Sequence, residues 1–445
     1  MRTYQGQQEI ASGRKAGWLK RLGRLLLVWG IAAALPAGAA TRLIVRVPGG
    51  LLPLQLVCAL LGCSVQYGLG DPQGEVFLIS TDLTLTPDLL LNLNLGIVDA
   101  ELDVTGRIMD SVNQGAAPAA LFNSTPVNYY GSTVRQGYVS QPATQIVELA
   151  NAQSTYHVSG SGTVAVIDTG VDTAHPVLQP VLLPGYDFTR NRSGADEKGD
   201  VTQSTTAVVD QSTTAVVDQS TTAVVDGTTG NNLDQPKYAD FGHGTMVSGV
   251  VHLAAPTARI LPLKAFNADG TGYLSDVIRA IYYAVRSNAN VINMSFNFTS
   301  PSSELYSALS VANLKGTVLV AAAGNSGQQT LVYPAAYQSM VMGVASTSNN
   351  DTLSTFSNYG SKLVWVGAPG EGVVTLFPYG TYAATWGTSF STPFVAGTTS
   401  LLLNAKGPVS EAAAAQAIAD AVPISTALGH GRLDIYLALR YWLNP

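Results

Sequence analysis

The chain has 445 residues, more than one hydrophobic core usually holds, so two folded units and a leader are expected. Its 46% hydrophobic content and 44 glycines exclude a disordered chain and fit a globular protein with many turns. The net charge of -6 hides an asymmetry: residues 1–46 carry eight Lys/Arg and one acid, leaving 15 basic and 28 acidic residues, or -13, beyond them. So acidic a body excludes nucleic acid as the expected partner.

Arg14, Lys15, Lys20, Arg21 and Arg24 precede an apolar run from Leu25 to Leu35, which leads into Pro36-Ala37-Gly38-Ala39. Basic, then apolar, then small residues is the order of a secretory signal over residues 1–39, with cleavage expected after Ala39. The run falls short of the ~20 residues of a spanning helix. Export to the extracellular space or the periplasm follows, with no membrane contact after cleavage. Residues 40–110 read as βαββαβ, a small α+β, ferredoxin-like unit: strand over 43–47, helix over 51–61, a hairpin over 65–80, helix over 87–95 and closing strand over 98–108. Cys58 and Cys63, five apart and off a common helix face unless Gly62 breaks the helix, read as buried free thiols. Residues 111–140, rich in Gly, Ala, Pro, Ser, Thr and Asn, read as a linker holding a maturation site.

From residue 141 to 445 apolar strand runs alternate with helix-period segments. Strands are expected over 163–167, 260–266, 291–294, 317–323, 341–345 and 363–366, with helices between them, such as 275–287 behind a Ser275 cap and 302–314 closed by Gly316. This alternation predicts an α/β domain, a mainly parallel sheet covered by helices on both faces, with its site at the strands' carboxyl ends. Residues 203–226 break the rhythm with three identical copies of Gln-Ser-Thr-Thr-Ala-Val-Val-Asp. Polar repeats of this kind read as a solvated surface insertion; the sharper reading is a calcium or partner site at Asp210, Asp218 and Asp226.

Four stretches carry chemistry. Val164-Ala165-Val166-Ile167 ends in Asp168-Thr169-Gly170, a carboxylate where a central strand stops. Gly242-His243-Gly244-Thr245 sets an imidazole at a helix start, fit to act as a general base held by Asp168. Ala321-Ala322-Ala323-Gly324-Asn325 places an amide after a strand, where it can donate to an oxyanion. Gly387-Thr388-Ser389-Phe390-Ser391 puts a hydroxyl on a tight turn at a helix N-terminus, whose free N–H groups favour negative charge. Taken singly, each residue has a bland reading as strand-end carboxylate, helix-start histidine, turn former or N-cap; four in this order do not. His157, His175, His252 and His430 lack such a setting and read as structural.

With these motifs the chain resembles the subtilisin-like serine proteases, over about residues 40–445, in the order Asp, His, Ser. The resemblance implies an Asp168/His243/Ser389 triad with Asn325 in the oxyanion hole, a peptide-bond hydrolase acting through an acyl-enzyme on polypeptide substrates. It also implies that the segment 40–110 is an inhibitor-I9-like propeptide, the chain's own intramolecular inhibitor, and that the protein is a monomer. Lys264 to Gly272, with Gly270 and Gly272, resembles the edge that pairs with an extended substrate. Ser295, Ala323, Gly324 and Val332 resemble the pocket for the residue preceding the cut bond. Phe296-Asn297 and Val332 depart from the family pattern, and a shallow pocket preferring small or medium apolar side chains is expected. No cofactor is required; a structural calcium ion is allowed, although Val177 stands where the family often has a calcium-binding aspartate. The competing reading is a catalytically silent peptide-binding protein on the same scaffold.

Overall fold

Apolar runs ending in a polar residue build the central sheet. The structure, a computed structural model, describes residues 40–108, 116–201 and 236–444, with the backbone of 216–219 and 222–225. Contacts divide the chain into two compact units, Met1–Asp103 and Val104–Pro445. In the second unit eight strands lie in the order Arg192–Ser193, Tyr186–Asp187, Arg259–Lys264, Thr163–Asp168, Val291–Met294, Val318–Ala322, Met342–Thr347 and Val366–Pro369. All neighbours run parallel except the edge pair Arg192–Ser193 and Tyr186–Asp187. Later strands flank Thr163–Asp168 on both sides, so the order reverses there, and Asp168 is its last residue. The crevice beyond the carboxyl end of such a strand is where open α/β sheets hold ligands.

Helices cover both faces. His243–Ala254 and Thr388–Lys406 pack on each other and on the sheet. They approach closely at Gly397, where a Cβ would lie 2.5 Å from that of Ala254. Leu274–Arg286 packs with Ser303–Leu314, whose start is capped by the Ser302 hydroxyl. Two boundaries differ from expectation. Helix 274–286 has Tyr273 at its N-cap with no side-chain cap bond, because the preceding residues Thr271–Tyr273 are themselves a strand. The strand expected over 363–366 starts at Val366, since Leu363 and Val364 donate to Gly360 O in a turn.

The first unit forms an antiparallel sheet in the order Cys63–Gly68, Val76–Thr81, Thr41–Arg46, Asp99–Leu102. Leu51–Leu61 and Pro87–Asn92 are its helices, and Leu43, Val45, Leu54, Ile79 and Leu90 fill its core. The cysteines are not free: Cys58 and Cys63 form a disulfide. Gly62 ends the helix at φ 67° and brings the two Cα atoms to 4.5 Å, which periodicity along an unbroken helix would forbid. The closing strand over 98–108 is in fact two. Asp103 accepts from Arg42 Nε at 2.8 Å and ends the first; Thr105–Ile108 belongs to the second unit, between Thr271–Tyr273 and Phe296–Asn297.

Residues 116–140, expected as linker, are folded. A hairpin, Pro126–Tyr129 with Ser132–Arg135, leads into the short helix Gln136–Val139, and buried Tyr138 donates to Gly249 O at 2.7 Å. Its aromatic residues anchor a stretch that composition alone marks as loose. Within the repeats, Val216–Gln219 and Thr222–Val225 form a hairpin whose second strand pairs with Thr381–Trp386, itself paired with Glu371–Phe377. A stretch expected as a solvated insertion thus adds edge strands to a sheet. The leader over 1–39, residues 109–115 of the linker, and Asp210 and Asp226 lie outside the described residues.

Glu411, at the first turn of Glu411–Ile418, accepts from Leu319 N–H at 2.8 Å inside the sheet. Burial pushes its carboxyl from 4.5 up to about 8. The unfolded chain ionises first, so stability falls as pH rises from about 4.5 to about 8. Buried Glu197 and Asp240 act in the same sense. Glu411→Gln keeps an acceptor for Leu319 and removes one proton; the fall in Tm between pH 5 and pH 8, followed by calorimetry, becomes shallower in this variant.

Candidate active site

Two elements distant in sequence meet where Thr163–Asp168 ends. Asp168 Oδ1 accepts from its own turn, Thr169 N at 2.7 Å, and lies 2.8 Å from His243 Nδ1. His243 is the first residue of its helix, and its start can close on the strand end because Gly244 has no side chain: a Cβ there would sit 1.9 Å from Gly170 O. Burial opposes charge on the imidazole, but the Asp168 carboxylate, with Asp240 and Glu197 behind it, outweighs burial and raises its pKa above 6.5.

A buried carboxyl that motif reading missed ties these pieces together. Glu197 Oε2 accepts from Thr169 Oγ1 at 3.0 Å and Gly242 N at 3.2 Å, and Glu197 Oε1 accepts from Thr245 Oγ1. Thr169 Oγ1 in turn accepts from Gly244 N at 2.9 Å. Burial drives the Glu197 carboxyl up to about 7. On the other side Lys264, fully buried, donates to Thr169 O, Phe266 O and Asp200 Oδ2 at 2.7 to 2.8 Å. The signal that could have found Glu197 is an acidic run, Asp196, Glu197 and Asp200, in a polar loop ahead of the histidine, and the sequence does not distinguish its fully buried member from the others.

Ser389 is the second residue of Thr388–Lys406, so its N–H has no acceptor within the helix. Its hydroxyl donates to Ser295 O at 3.2 Å, while Ser295 Oγ accepts from Asn293 Nδ2 at 2.9 Å and donates to Ser389 O at 2.8 Å. The Phe390 ring packs against His243 at a tilt of 48°, centroids 5.2 Å apart. Asn325 Oδ1 is anchored by Thr388 N at 3.0 Å and Thr388 Oγ1 at 2.9 Å, which fixes the amide's orientation. Its Nδ2 is buried without a partner among the described residues, an unspent donor beside Gly387. Asn358, also missed, holds this turn: its Oδ1 accepts from Ser326 and Gln328 N–H, and its Nδ2 donates to Ala323 O at 2.9 Å. It fills the space a side chain on Gly324 would need, the Cβ position being 2.4 Å from Asn358 Nδ2, with Val332 Cγ2 at 3.6 Å on the same side.

The two segments expected to line a substrate cleft are both paired with one further strand. Thr105–Ile108 runs antiparallel to both, pairing Gly106 with Gly272, Arg107 with Thr271 and Asn297, and Ile108 with Phe296. Ile108 N donates to Gly270 O at 2.9 Å. Gly270 stands at φ 76°, against the Asp240 carboxylate, and Gly272 against Ala265 O, so neither has room for a side chain. Among the described residues no group of three His, Cys, Asp or Glu is placed to hold a metal ion, and Val177, which stands where a calcium-binding aspartate would, is buried in the apolar core; the side chains of Asp210, Asp218 and Asp226 lie outside the described residues.

A strand-end carboxylate on an imidazole, a serine at a helix start and a free amide, on a doubly wound sheet, are the parts of a serine hydrolase. Comparison with known proteins narrows this. The sequence model of the Subtilase family, Peptidase S8, matches residues 160–434. The chain is 34% identical to thermitase from Thermoactinomyces vulgaris over 330 residues, 71% of this chain and all of that protein. It is 33% identical to a thermophilic serine proteinase from Bacillus sp. (strain AK1), over 73% of this chain and 72% of that one. A solved lanthipeptide protease shares the fold, with a TM-score of 0.54 and 21% identity over 67% of this chain and 94% of that one. The chain belongs to the subtilase family and is a serine-type endopeptidase. Catalysis in this family needs no cofactor.

Because Asp168 is what overcomes burial at His243, Asp168→Asn lowers the imidazole pKa. An NMR titration of nitrogen-labelled histidine reads His243 above 6.5 in the native chain and lower in the variant.

Proposed function

We propose that the protein is an exported endopeptidase made as a self-inhibited precursor, with Asp168, His243 and Ser389 as its triad. The Ser389 oxygen attacks the peptide carbonyl carbon as His243 takes the hydroxyl proton, and Asp168 steadies the imidazolium. Ser389 first gives up its bond to Ser295 O by rotation of its side chain. The oxyanion is held by Asn325 Nδ2 and Ser389 N–H. On collapse the C–N bond breaks, His243 protonates the leaving amine, and a water then repeats the sequence to release the acyl group.

The observation that carries the precursor reading is Thr105–Ile108, a strand of the chain's own N-terminal region lying where an extended polypeptide substrate would lie. Ile108, its last described residue, pairs with Phe296, the neighbour of Ser295, whose carbonyl accepts from the Ser389 hydroxyl. We therefore assign maturation to the Met109–Asp110 bond, one residue past Ile108 and just ahead of the segment 111–140 in which the site was expected, with residues 40–109 leaving as propeptide and inhibitor. The leader would direct export to the cell exterior.

Two measurements test this. Mass spectrometry of the secreted protein reads a mature N-terminus at Asp110, and a fluorophosphonate labels it stoichiometrically. Ser389→Ala abolishes both processing and labelling; a processed Ser389→Ala chain overturns the assignment. Asn325→Ala lowers kcat by about 10² to 10³, the loss known for the oxyanion amide of subtilisin itself, with KM little changed.

A further inference from the structure

Gly106 is a glycine for want of space. Its φ is not in the left-handed region, where glycine is needed for conformation. It sits in a regular antiparallel pair with Gly272, and a Cβ added to it would lie 2.6, 2.8 and 2.9 Å from Cε1, Cζ and Cδ1 of the Phe298 ring. Such contacts are far inside van der Waals distance. Side chains alternate along the strand: Gly106 and Ile108 face inward and are buried, whereas Thr105 and Arg107 face solvent. Only the inward positions are therefore read by the protein.

The ring cannot readily retreat. Phe298 exchanges two backbone hydrogen bonds with Tyr333, at 2.7 and 2.9 Å, and its ring stands edge-on to Phe296. Phe296 in turn packs on Phe266 with centroids 4.9 Å apart, and both are fully buried. Moving Phe298 would displace a row of core aromatics, the overpacking that close-packed interiors resist.

Resting on the cleft reading above, we infer that Phe298 is a specificity-determining residue, closing the subsite opposite Gly272 so that the enzyme selects glycine three residues ahead of the one carrying the scissile carbonyl. Thr105–Ile108 satisfies this rule in the chain's own precursor. Selection here acts by exclusion, since the backbone pairing on both edges is available to any sequence.

The test uses the mature enzyme and peptides of the form X-Arg-Ile-Met joined to a fluorogenic amine, with X as Gly, Ala, Leu or Phe. Concentrations are set by fluorophosphonate titration, so that rates are per active site. The native enzyme loses about tenfold or more in kcat/KM from Gly to Ala, and more to Leu and Phe. In Phe298→Ala the Ala and Leu peptides come to within about threefold of the Gly peptide, and Phe298→Leu, a smaller change to the core, gives an intermediate ratio. A native enzyme that cleaves the Leu peptide as fast as the Gly peptide overturns the proposal, as does a Gly-to-Leu ratio unchanged in both variants. Labelled enzyme that cleaves none of the four overturns the register and the proposal with it. Absence of labelling, by contrast, would indict the triad.

Discussion

The 2.8 Å contact between Asp168 and His243 is the constraint on which the rest of the site depends. It joins a strand end to a helix start 75 residues away, in a setting where every charged group is short of water. An isolated carboxylate there would be strongly disfavoured. The surrounding network makes the pair tolerable: Glu197 collects the N–H and hydroxyl groups of both turns, and Lys264 ties the chain after Asp168 to the neighbouring strand. With Glu197 raised to about 7 by the same burial, the cluster carries fewer negative charges near neutrality than its composition suggests. The imidazole is thus left facing chiefly Asp168.

A second constraint concerns donors rather than charges. In the first turn of Thr388–Lys406 the Ser389 N–H has no acceptor within the helix, and Asn325 is fixed by Thr388 through its carbonyl side, leaving its NH₂ unspent. Buried donors without acceptors are rare because they are unfavourable. Here several are held at one spot by packing around them, with Asn358 bracing the turn that carries Asn325. A site assembled this way has its donors oriented before any ligand arrives, which is where an enzyme gains most from a rigid scaffold.

The central strands were legible because buried parallel strands read as unbroken apolar runs, and Asp168 and His243 were legible because each directly follows or opens an element. What was lost in the sequence was of two physical kinds. Chain reversals that let distant or mismatched positions meet do not show in periodicity: Gly62 turned two residues off a common helix face into a disulfide, and Asp103 cut one alternating run into strands of two different sheets. Polar residues that brace others, Glu197 and Asn358, have no pattern of their own, since their role lies in partners 28 to 48 and 30 to 35 positions away. Composition misled at residues 116–140, where Tyr129 and Tyr138 suffice to fix a stretch of mostly small and polar residues onto the helix His243–Ala254.

The split at Asp103 separates two kinds of recognition in one short run. Asp99–Leu102 is held by its sheet and by the Arg42 ion pair, so its side chains serve the core of the first unit. From Val104, whose carbonyl accepts from Leu274 N at 2.9 Å, the strand is held by backbone bonds on both edges. Those bonds are indifferent to sequence, and the glycines lining one wall keep it flat enough to accept them. Discrimination is then left to whatever points inward, and at Gly106 the inward direction ends on an aromatic ring. On the function proposed, a cleft built on this plan combines loose main-chain binding with a steric filter at one inward position, which the chain's own strand fills with Gly106.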